Sequence, residues 1–64
     1  MKIVKVFDRY DKAYYVSADD LAGDKTQLRL FTRAGARLYD YFEKMNWHGR
    51  STTIHRGNIL RVQS

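Results

Sequence analysis

The stretch LRLFTRAGARLYDYFEKM, residues 28–45, decides the fold because it contains two interleaved patterns. Three arginines, Arg29, Arg33 and Arg37, recur every four residues. A second set of positions recurs at intervals of three and four, as on one face of a helix. These positions are Leu28, Phe31, Gly35, Leu38, Phe42 and Met45. The spacing predicts one long helix that turns its apolar side to a sheet and its arginines outward.

The same residues allow a second interpretation. In QLRLF, residues 27–31, Leu28 and Leu30 alternate with Arg29, which is the period of a strand. Thr32 could then cap a shorter helix that begins at residue 33. Both interpretations place a helix before Asn46 and Gly49, which are typical helix-ending residues.

The first part of the chain predicts a β-hairpin. KIVKVF at residues 2–7 and AYYVS at 13–17 are rich in β-branched and aromatic side chains. DRYDK lies between them, and its aspartates can accept hydrogen bonds from their own backbone in a turn. SADDLAG, residues 17–23, predicts a short helical turn that Ser17 caps and Gly23 ends.

The last part predicts a second hairpin. Gly57 and Asn58 form a two-residue turn signal between TTIHR and ILRVQ. The resulting prediction is an α+β fold, one small domain over residues 1–64, with strand and helix order ββαββ. One central helix would pack on an antiparallel sheet between two hairpins.

The first predicted strand is apolar on both faces, and one helix can cover only one of them. Val4 and Val6 would lie on one face, and Ile3 and Phe7 on the other. A domain of this size buries only about 60% of the surface of its unfolded chain. A homodimer that covers the second face is therefore one of the predicted partners.

Composition limits the class of protein. Apolar residues make up 44% of the chain, which is too high for a disordered protein. There is no cysteine, which excludes disulfides and thiolate metal sites and fits a reducing compartment. The sequence has neither a signal-peptide pattern nor an apolar run that could span a membrane. The expected location is the cytoplasm, without a membrane partner.

The net charge of +5 is unevenly distributed. Residues 1–32 contain six basic and five acidic side chains, whereas residues 33–64 contain six basic and two acidic ones. Five of the six bases in the second half are arginines, which suit forked contacts with phosphate or carboxylate. This bias favours DNA, RNA or an acidic protein surface as the partner.

The predicted binding residues combine the arginine stripe of the helix, aromatic side chains near its end and the basic residues that follow. They are Arg29, Arg33, Arg37, Tyr41, Lys44, Trp47, Arg50, Arg56 and Arg61. Arginine side chains would meet phosphates, and an outward-facing tyrosine could stack on a base. The alternative is a solvated, charged helix face without a ligand.

Catalytic signals are weak, so we expect a binding protein rather than an enzyme. His48 and His55 lack the cysteine or acidic partners of a zinc site, and no metal or other cofactor is predicted. Asp19 and Asp20 fit a helix-capping turn. The chain has no glycine-rich phosphate loop. A small basic nuclease that uses His55 is the one catalytic alternative.

A second function class uses the same residues differently. Tyrosine, tryptophan and arginine are enriched in protein interfaces, so the chain could be an inhibitor or regulator that binds an acidic partner protein. Many short phage- or prophage-encoded regulators share this size and lack of cysteine. Such a protein would capture one discrete partner and respond little to added DNA or RNA.

Overall fold

Five strands and two short helices form the fold, and the computed structural model describes residues 1–63 of the chain. The elements are β1 (Ile3–Phe7), β2 (Ala13–Ser17), α1 (Ala18–Ala22), β3 (Gln27–Arg29), α2 (Leu38–Lys44), β4 (Thr53–His55) and β5 (Arg61–Gln63). A 3₁₀ turn, Arg56–Asn58, separates β4 from β5. The predicted α+β class is confirmed, and the ββαββ order is broadly compatible with this arrangement.

The first hairpin forms as its sequence predicts. β1 and β2 pair antiparallel, with Val6 opposite Tyr14. The turn between them is closed by Asp8, whose Oδ1 accepts the amide N–H groups of Tyr10 and Lys12 at 2.9 and 3.0 Å. Asp11 takes a positive φ of 63°, which aspartate tolerates better than most residues.

The predicted cap of α1 is also present. The Ser17 hydroxyl accepts the Asp20 N–H at 3.0 Å, as the capping pattern requires. At the other end, the Gly23 N–H donates to the carbonyl oxygens of Asp19 and Asp20. The helix is therefore limited to one and a half turns by signals that lie within the segment itself.

Residues 28–45 do not form one helix, so that prediction is wrong. The Thr32 N–H donates to the Ala36 carbonyl at 2.7 Å, which folds residues 32–36 into a tight turn. Gly35 sits in this turn at φ 92°, a left-handed conformation that glycine adopts without steric cost. Because the chain reverses there, β3 and α2 are separate elements.

The alternative strand interpretation of residues 27–31 is closer to the structure. Leu28 and Leu30 are buried and Arg29 is exposed, the alternation of a strand with one buried face. The helix that follows begins at Leu38 rather than at residue 33. Met45, predicted on the apolar face, is the C-cap residue of α2 and is exposed.

The predicted terminal hairpin is wrong in its pairing. β4 pairs with β3, with Ile54 opposite Leu28, whereas β5 pairs with β1, with Val62 opposite Val6. The chain does turn near Gly57, whose N–H donates to His55 Nδ1 at 3.0 Å. The turn carries the chain from the two-stranded sheet, which contains β4, to the three-stranded sheet, which contains β5.

The core lies between the three-stranded sheet β2-β1-β5 and the two-stranded sheet β3-β4. Its buried apolar members come from both sheets and the residue after β3. They are Val6, Val16, Leu28, Leu30 and Ile54. Half-buried side chains, among them Tyr14 and Leu38, pack around this cluster.

The second face of β1 is partly covered by the chain itself. Ile3 and Phe7 are half-buried. A Cβ atom added at Gly35 would lie 3.7 Å from the Ile3 side chain, so the backbone passes close to Ile3, and the Arg61 guanidinium lies 3.9 Å from the Phe7 ring centroid. These contacts reduce the need for a partner chain on this face, and the homodimer stays a prediction.

Candidate nucleic-acid interface

A cleft of about 670 Å³ opens where three segments meet. They are the edge of β2 with the residue before it (12–15), the chain that follows β3 (30–33) and the chain that follows α2 (49–51). Leu38 and Phe42 of α2 complete its lining. This volume lies within the range of about 300–1,000 Å³ that is usual for ligand sites.

Three cations and no carboxylate line this cleft, which we call the cationic cleft: Lys12, Arg33 and Arg50. All three side chains are exposed, and none of them forms a salt bridge within residues 1–63. Concave surfaces with charges of one sign concentrate the electrostatic field. The cleft is therefore suited to an anionic ligand.

Aromatic rings form much of the cleft wall. Phe31 and Phe42 are buried, and Tyr14 and Tyr15 are half-buried. Lys12 Nζ lies 5.6 Å from the Tyr14 ring centroid, within the range of a cation–π contact. The wall thus combines flat apolar surface with positive charge.

The Tyr14 hydroxyl is fixed by the hairpin turn. It donates to Asp8 Oδ2 at 2.9 Å. Partial burial raises the pKa of Tyr14, and the neighbouring Asp8 carboxylate raises it further. Burial alone would raise the pKa of Asp8, but hydrogen bonds from Lys12, Tyr14 and Tyr10 outweigh this effect and lower it. Tyr14 therefore meets the cleft as a neutral, oriented ring.

Arg33 lies in the tight turn of residues 32–36. Thr32 Oγ1 accepts the Ala36 N–H at 3.1 Å, which adds a side-chain contact to the backbone bonds of the turn. The Gly35 N–H donates to the Thr32 carbonyl at 2.9 Å. The turn is held by these bonds, whereas the Arg33 side chain remains exposed at the cleft.

Arg50 is positioned by two aromatic rings. Phe42 and Trp47 stack with centroids 6.0 Å apart and an interplanar angle of 27°. The Arg50 guanidinium lies 5.4 Å from the Phe42 centroid and 5.2 Å from the Trp47 centroid. The backbone N–H of Trp47 also donates to the Phe42 carbonyl at 2.8 Å, which connects this segment to α2.

Three of the predicted arginines are held by contacts within the protein. Arg29 forms a two-point ion pair with Asp20, at 2.8 and 2.9 Å. Arg61 bonds Asp11 at 2.8 Å. Arg56 donates to three backbone carbonyls at the end of α1 and in the following loop. The continuous basic helix face that the sequence predicts is therefore absent from residues 1–63.

The remaining predicted residues surround α2. Tyr41 and Lys44 are exposed on it, and the Tyr41 ring meets the Phe42 ring edge to face. Arg37 is half-buried, and its Nε atom is buried without a hydrogen-bond partner in the described chain. The structure thus brings Arg33 and Arg50 together, with Trp47 adjacent to Arg50.

Sequence reasoning missed Lys12 and the tyrosines as cleft residues. Lys12 lies in a turn, outside the helix on which the arginine pattern was counted. The Tyr15–Phe31 bridge between β2 and the chain after β3 brings these segments together, and sequence spacing carries no signal for such a contact.

The two histidines make separate, local contacts. His48 Nε2 lies 3.0 Å from Asn46 Oδ1, whereas His55 accepts a backbone N–H in the 3₁₀ turn. The described part of the chain contains no group of three or more His, Asp or Glu side chains close enough together to hold a metal ion. None of the helices there combines the length and apolar character that crossing a bilayer requires.

We expect the Arg29–Asp20 pair to make stability depend on pH. The Arg29 hydrogen bonds lower the pKa of Asp20 below its usual 3.8. A lowered carboxyl pKa stabilises the folded state above the unfolded pKa, and this contribution is lost as pH falls through the folded pKa. Urea midpoints should therefore fall from about pH 5 towards pH 2.

The Asp20→Asn variant tests this assignment. It should be less stable than the wild type near neutral pH, and the difference should shrink in acid. Asp24→Asn is the matched control, because Asp24 is exposed and its side chain has no hydrogen bond within residues 1–63. Equal pH profiles for the wild type and Asp20→Asn would contradict the role of the pair.

No protein-family model matches this chain. Neither a curated protein nor a solved structure matches it. The charge and shape of the cationic cleft are therefore the observations from which a function can be inferred.

Proposed function

We propose that this protein is a small non-enzymatic module that binds nucleic acid through the cationic cleft. One observation supports the proposal above the others: three cations without salt-bridge partners in residues 1–63 surround an aromatic-walled cleft that no carboxylate lines. A nucleic acid offers the complementary groups, because it carries regularly spaced phosphates and flat bases.

The arginines suit the phosphates for two reasons. A guanidinium presents several N–H donors in a planar fork that matches two oxygens of one phosphate. Neutralising a phosphate also releases condensed counterions, which gives affinity without sequence preference. Arg33, Arg50 and Lys12 could each meet one phosphate, so the expected salt dependence is that of about three contacts.

Nucleic-acid affinity should fall as the salt concentration rises, and the cleft arginines should account for much of this salt dependence. Three phosphate contacts should weaken binding about 20- to 40-fold between 50 and 200 mM salt. Arg33→Ala and Arg50→Ala should each reduce the slope of log affinity against log salt by about 0.7–0.9. Fluorescence anisotropy of labelled oligonucleotides, both single-stranded and double-stranded, measures these slopes.

Lys25→Ala is the matched control for charge. Lys25 is exposed and lies outside the cleft lining, so its removal subtracts one positive charge elsewhere. It should change the slope much less than either arginine substitution. If all nucleic acids fail to bind at 50 mM salt, or if the three variants weaken binding equally, the cleft is not a nucleic-acid site.

A protein partner is the second candidate function, and one observation favours it. Tyr41, Met45 and Trp47 are exposed near the carboxyl end of α2, with Arg50 against Trp47. Exposed aromatic, methionine and arginine side chains are typical of the energetic centres of protein interfaces. Capture of one acidic protein, together with no nucleic-acid binding, would favour this function.

A further inference from the structure

Trp47 has no part in the proposed phosphate contacts. It is the only tryptophan of the chain, and half of its surface is exposed. It stacks on Phe42 and lies 5.2 Å from the Arg50 guanidinium, and both of these side chains line the cationic cleft. An exposed indole thus stands beside the phosphate-binding candidates, at the edge of the cleft.

We infer that the ligand of the cationic cleft is a single-stranded nucleic acid, with one base stacked on Trp47. This inference rests on the proposed function. Phosphates on either side of that base would meet Arg50 and the other two cations. A base attached to a flexible strand can present its whole face to an aromatic ring, and this contact tolerates any sequence.

A duplex can offer its phosphates to the three cations, but it cannot stack a base on Trp47. Within a duplex both faces of each base are covered by neighbouring bases, so an aromatic side chain can reach a face only after the base is extruded. The indole and the aromatic wall would then contribute nothing to binding. The presence of aromatic surface among the cations therefore favours an unpaired strand.

α2 and the β3-β4 pair are also poorly suited to reading a duplex groove. A groove reader inserts a free helix or a two-stranded ribbon into the major groove. α2 has seven residues, a length of about 10 Å, and buries Phe42 against the protein. The β3-β4 pair has three residues in each strand and buries Leu28 and Ile54 in the core. Neither α2 nor the β3-β4 pair projects from the protein as an element that could enter a groove.

The first test uses Trp47 as its own reporter. Oligo-dT and oligo-U of about ten nucleotides are titrated against the wild type, beside a DNA hairpin duplex with the same number of phosphates. A stacked base should quench the indole fluorescence to saturation. Anisotropy of labelled copies, which detects binding with or without quenching, should give the single strands an affinity at least about 10-fold above that of the duplex. Comparison of the dT and U arms separates DNA from RNA preference.

Each outcome of this titration decides something. A duplex that binds as tightly as the single strands, without quenching, would overturn the single-strand inference and leave the proposed function standing. Failure of every oligonucleotide to bind would overturn both. Binding of single strands without any change in fluorescence would overturn the stacking contact.

Variants of Trp47 provide the second test, with labelled oligo-dT and anisotropy as the readout. Trp47→Ala should weaken binding about 5- to 150-fold, the range found for one stacked base. Trp47→Phe keeps a ring and should stay within about threefold of the wild type. Tyr39→Ala is the control, because Tyr39 is about as exposed as Trp47 but, within residues 1–63, neither stacks on a cleft-lining ring nor contacts Arg50.

Folding of each variant is checked by circular dichroism. If Trp47→Ala folds and binds like the wild type, the stacking contact is wrong. If it does not fold, Trp47→Phe and the fluorescence titration decide the question, since both leave the Phe42 stack in place. Equal losses for Trp47→Ala and Tyr39→Ala would also contradict the inference.

Discussion

Replacing Leu28 by alanine is expected to lower the free energy of unfolding by about 2–5 kcal/mol. Leu28 has no exposed surface, and it lies in the core cluster with Val6, Val16 and Ile54. Removal of its side chain leaves a cavity between the two sheets. A chain of 64 residues is expected to be stable by only about 3–10 kcal/mol, so a large fraction should unfold.

Leu38→Ala is the matched comparison for this prediction. Leu38 is half-buried on α2, where solvent can fill part of the space that the side chain leaves. We therefore expect a smaller loss for Leu38→Ala than for Leu28→Ala. Urea unfolding followed by circular dichroism measures both values. The reverse ranking would mean that residue 28 does not occupy the centre of the core.

Arg56→Ala is expected to lower the free energy of unfolding by about 2–3 kcal/mol, although Arg56 lies in a short turn after β4. Its guanidinium donates to the carbonyl oxygens of Lys25, Leu21 and Asp20 at 2.9, 2.8 and 3.0 Å. These carbonyls belong to the last turn of α1 and the loop after it, where most helical partners are lacking, although the Asp20 carbonyl also accepts the Gly23 N–H. One side chain thereby joins the end of β4 to α1.

Arg56→Lys should recover only a small part of this loss. A lysine keeps the charge, but its single ammonium group cannot reproduce the spacing of three donors across a guanidinium. Arg33→Ala is the matched control, because Arg33 is exposed and its side chain makes no hydrogen bond within residues 1–63. It should change stability by less than about 0.5 kcal/mol.

Urea unfolding and thermal melts of these variants decide between a structural and a surface role for Arg56. A loss for Arg56→Ala no larger than that for Arg33→Ala would contradict the three-carbonyl contact. Nearly complete stability in Arg56→Lys would show that charge alone matters. Because Arg56 lies outside the cleft lining, Arg56→Lys should bind oligonucleotides normally where it is folded.

The parts of the fold that sequence predicts well are those set by neighbouring residues. Asp8 closes its own hairpin turn, and Ser17 caps the helix that follows it directly. Both signals act over four residues or fewer, so spacing along the chain is enough to find them. The same holds for the turn near Gly57, although the strands around it pair elsewhere.

The failed helix prediction has a definite physical cause. Leu28 and Phe31 fit a helical period, whereas Leu28 and Leu30 fit a strand, and both sets are apolar. The turn signal lay in Gly35, because glycine is favoured at the fourth position of a type I β-turn, and the Gly35 N–H here donates to the Thr32 carbonyl three residues earlier. Counting Gly35 as a member of the helix face concealed that signal.

The candidate site is harder to predict than the fold because its members are distant in sequence. Lys12, Arg33 and Arg50 come from three separate connections, and sheet pairing brings them together. Arg33 was predicted as part of an arginine stripe on a helix that does not form, and Arg50 as one of the basic residues that follow that helix. Which arginines remain available depends on internal partners such as Asp20 and Asp11, and composition does not reveal these pairs.

The pairing of β1 with β5 has a consequence for the order in which the molecule assembles. Lys5 lies opposite Gln63, so this contact closes a loop of almost the entire described chain. The entropic cost of closing a loop rises with its length, and the β1-β2 hairpin therefore forms well before β5 arrives. Until then the backbone N–H and C=O groups along one edge of β1 are unpaired and can bond to a strand of another molecule. That interval, rather than the finished fold, is when this chain is most open to aggregation.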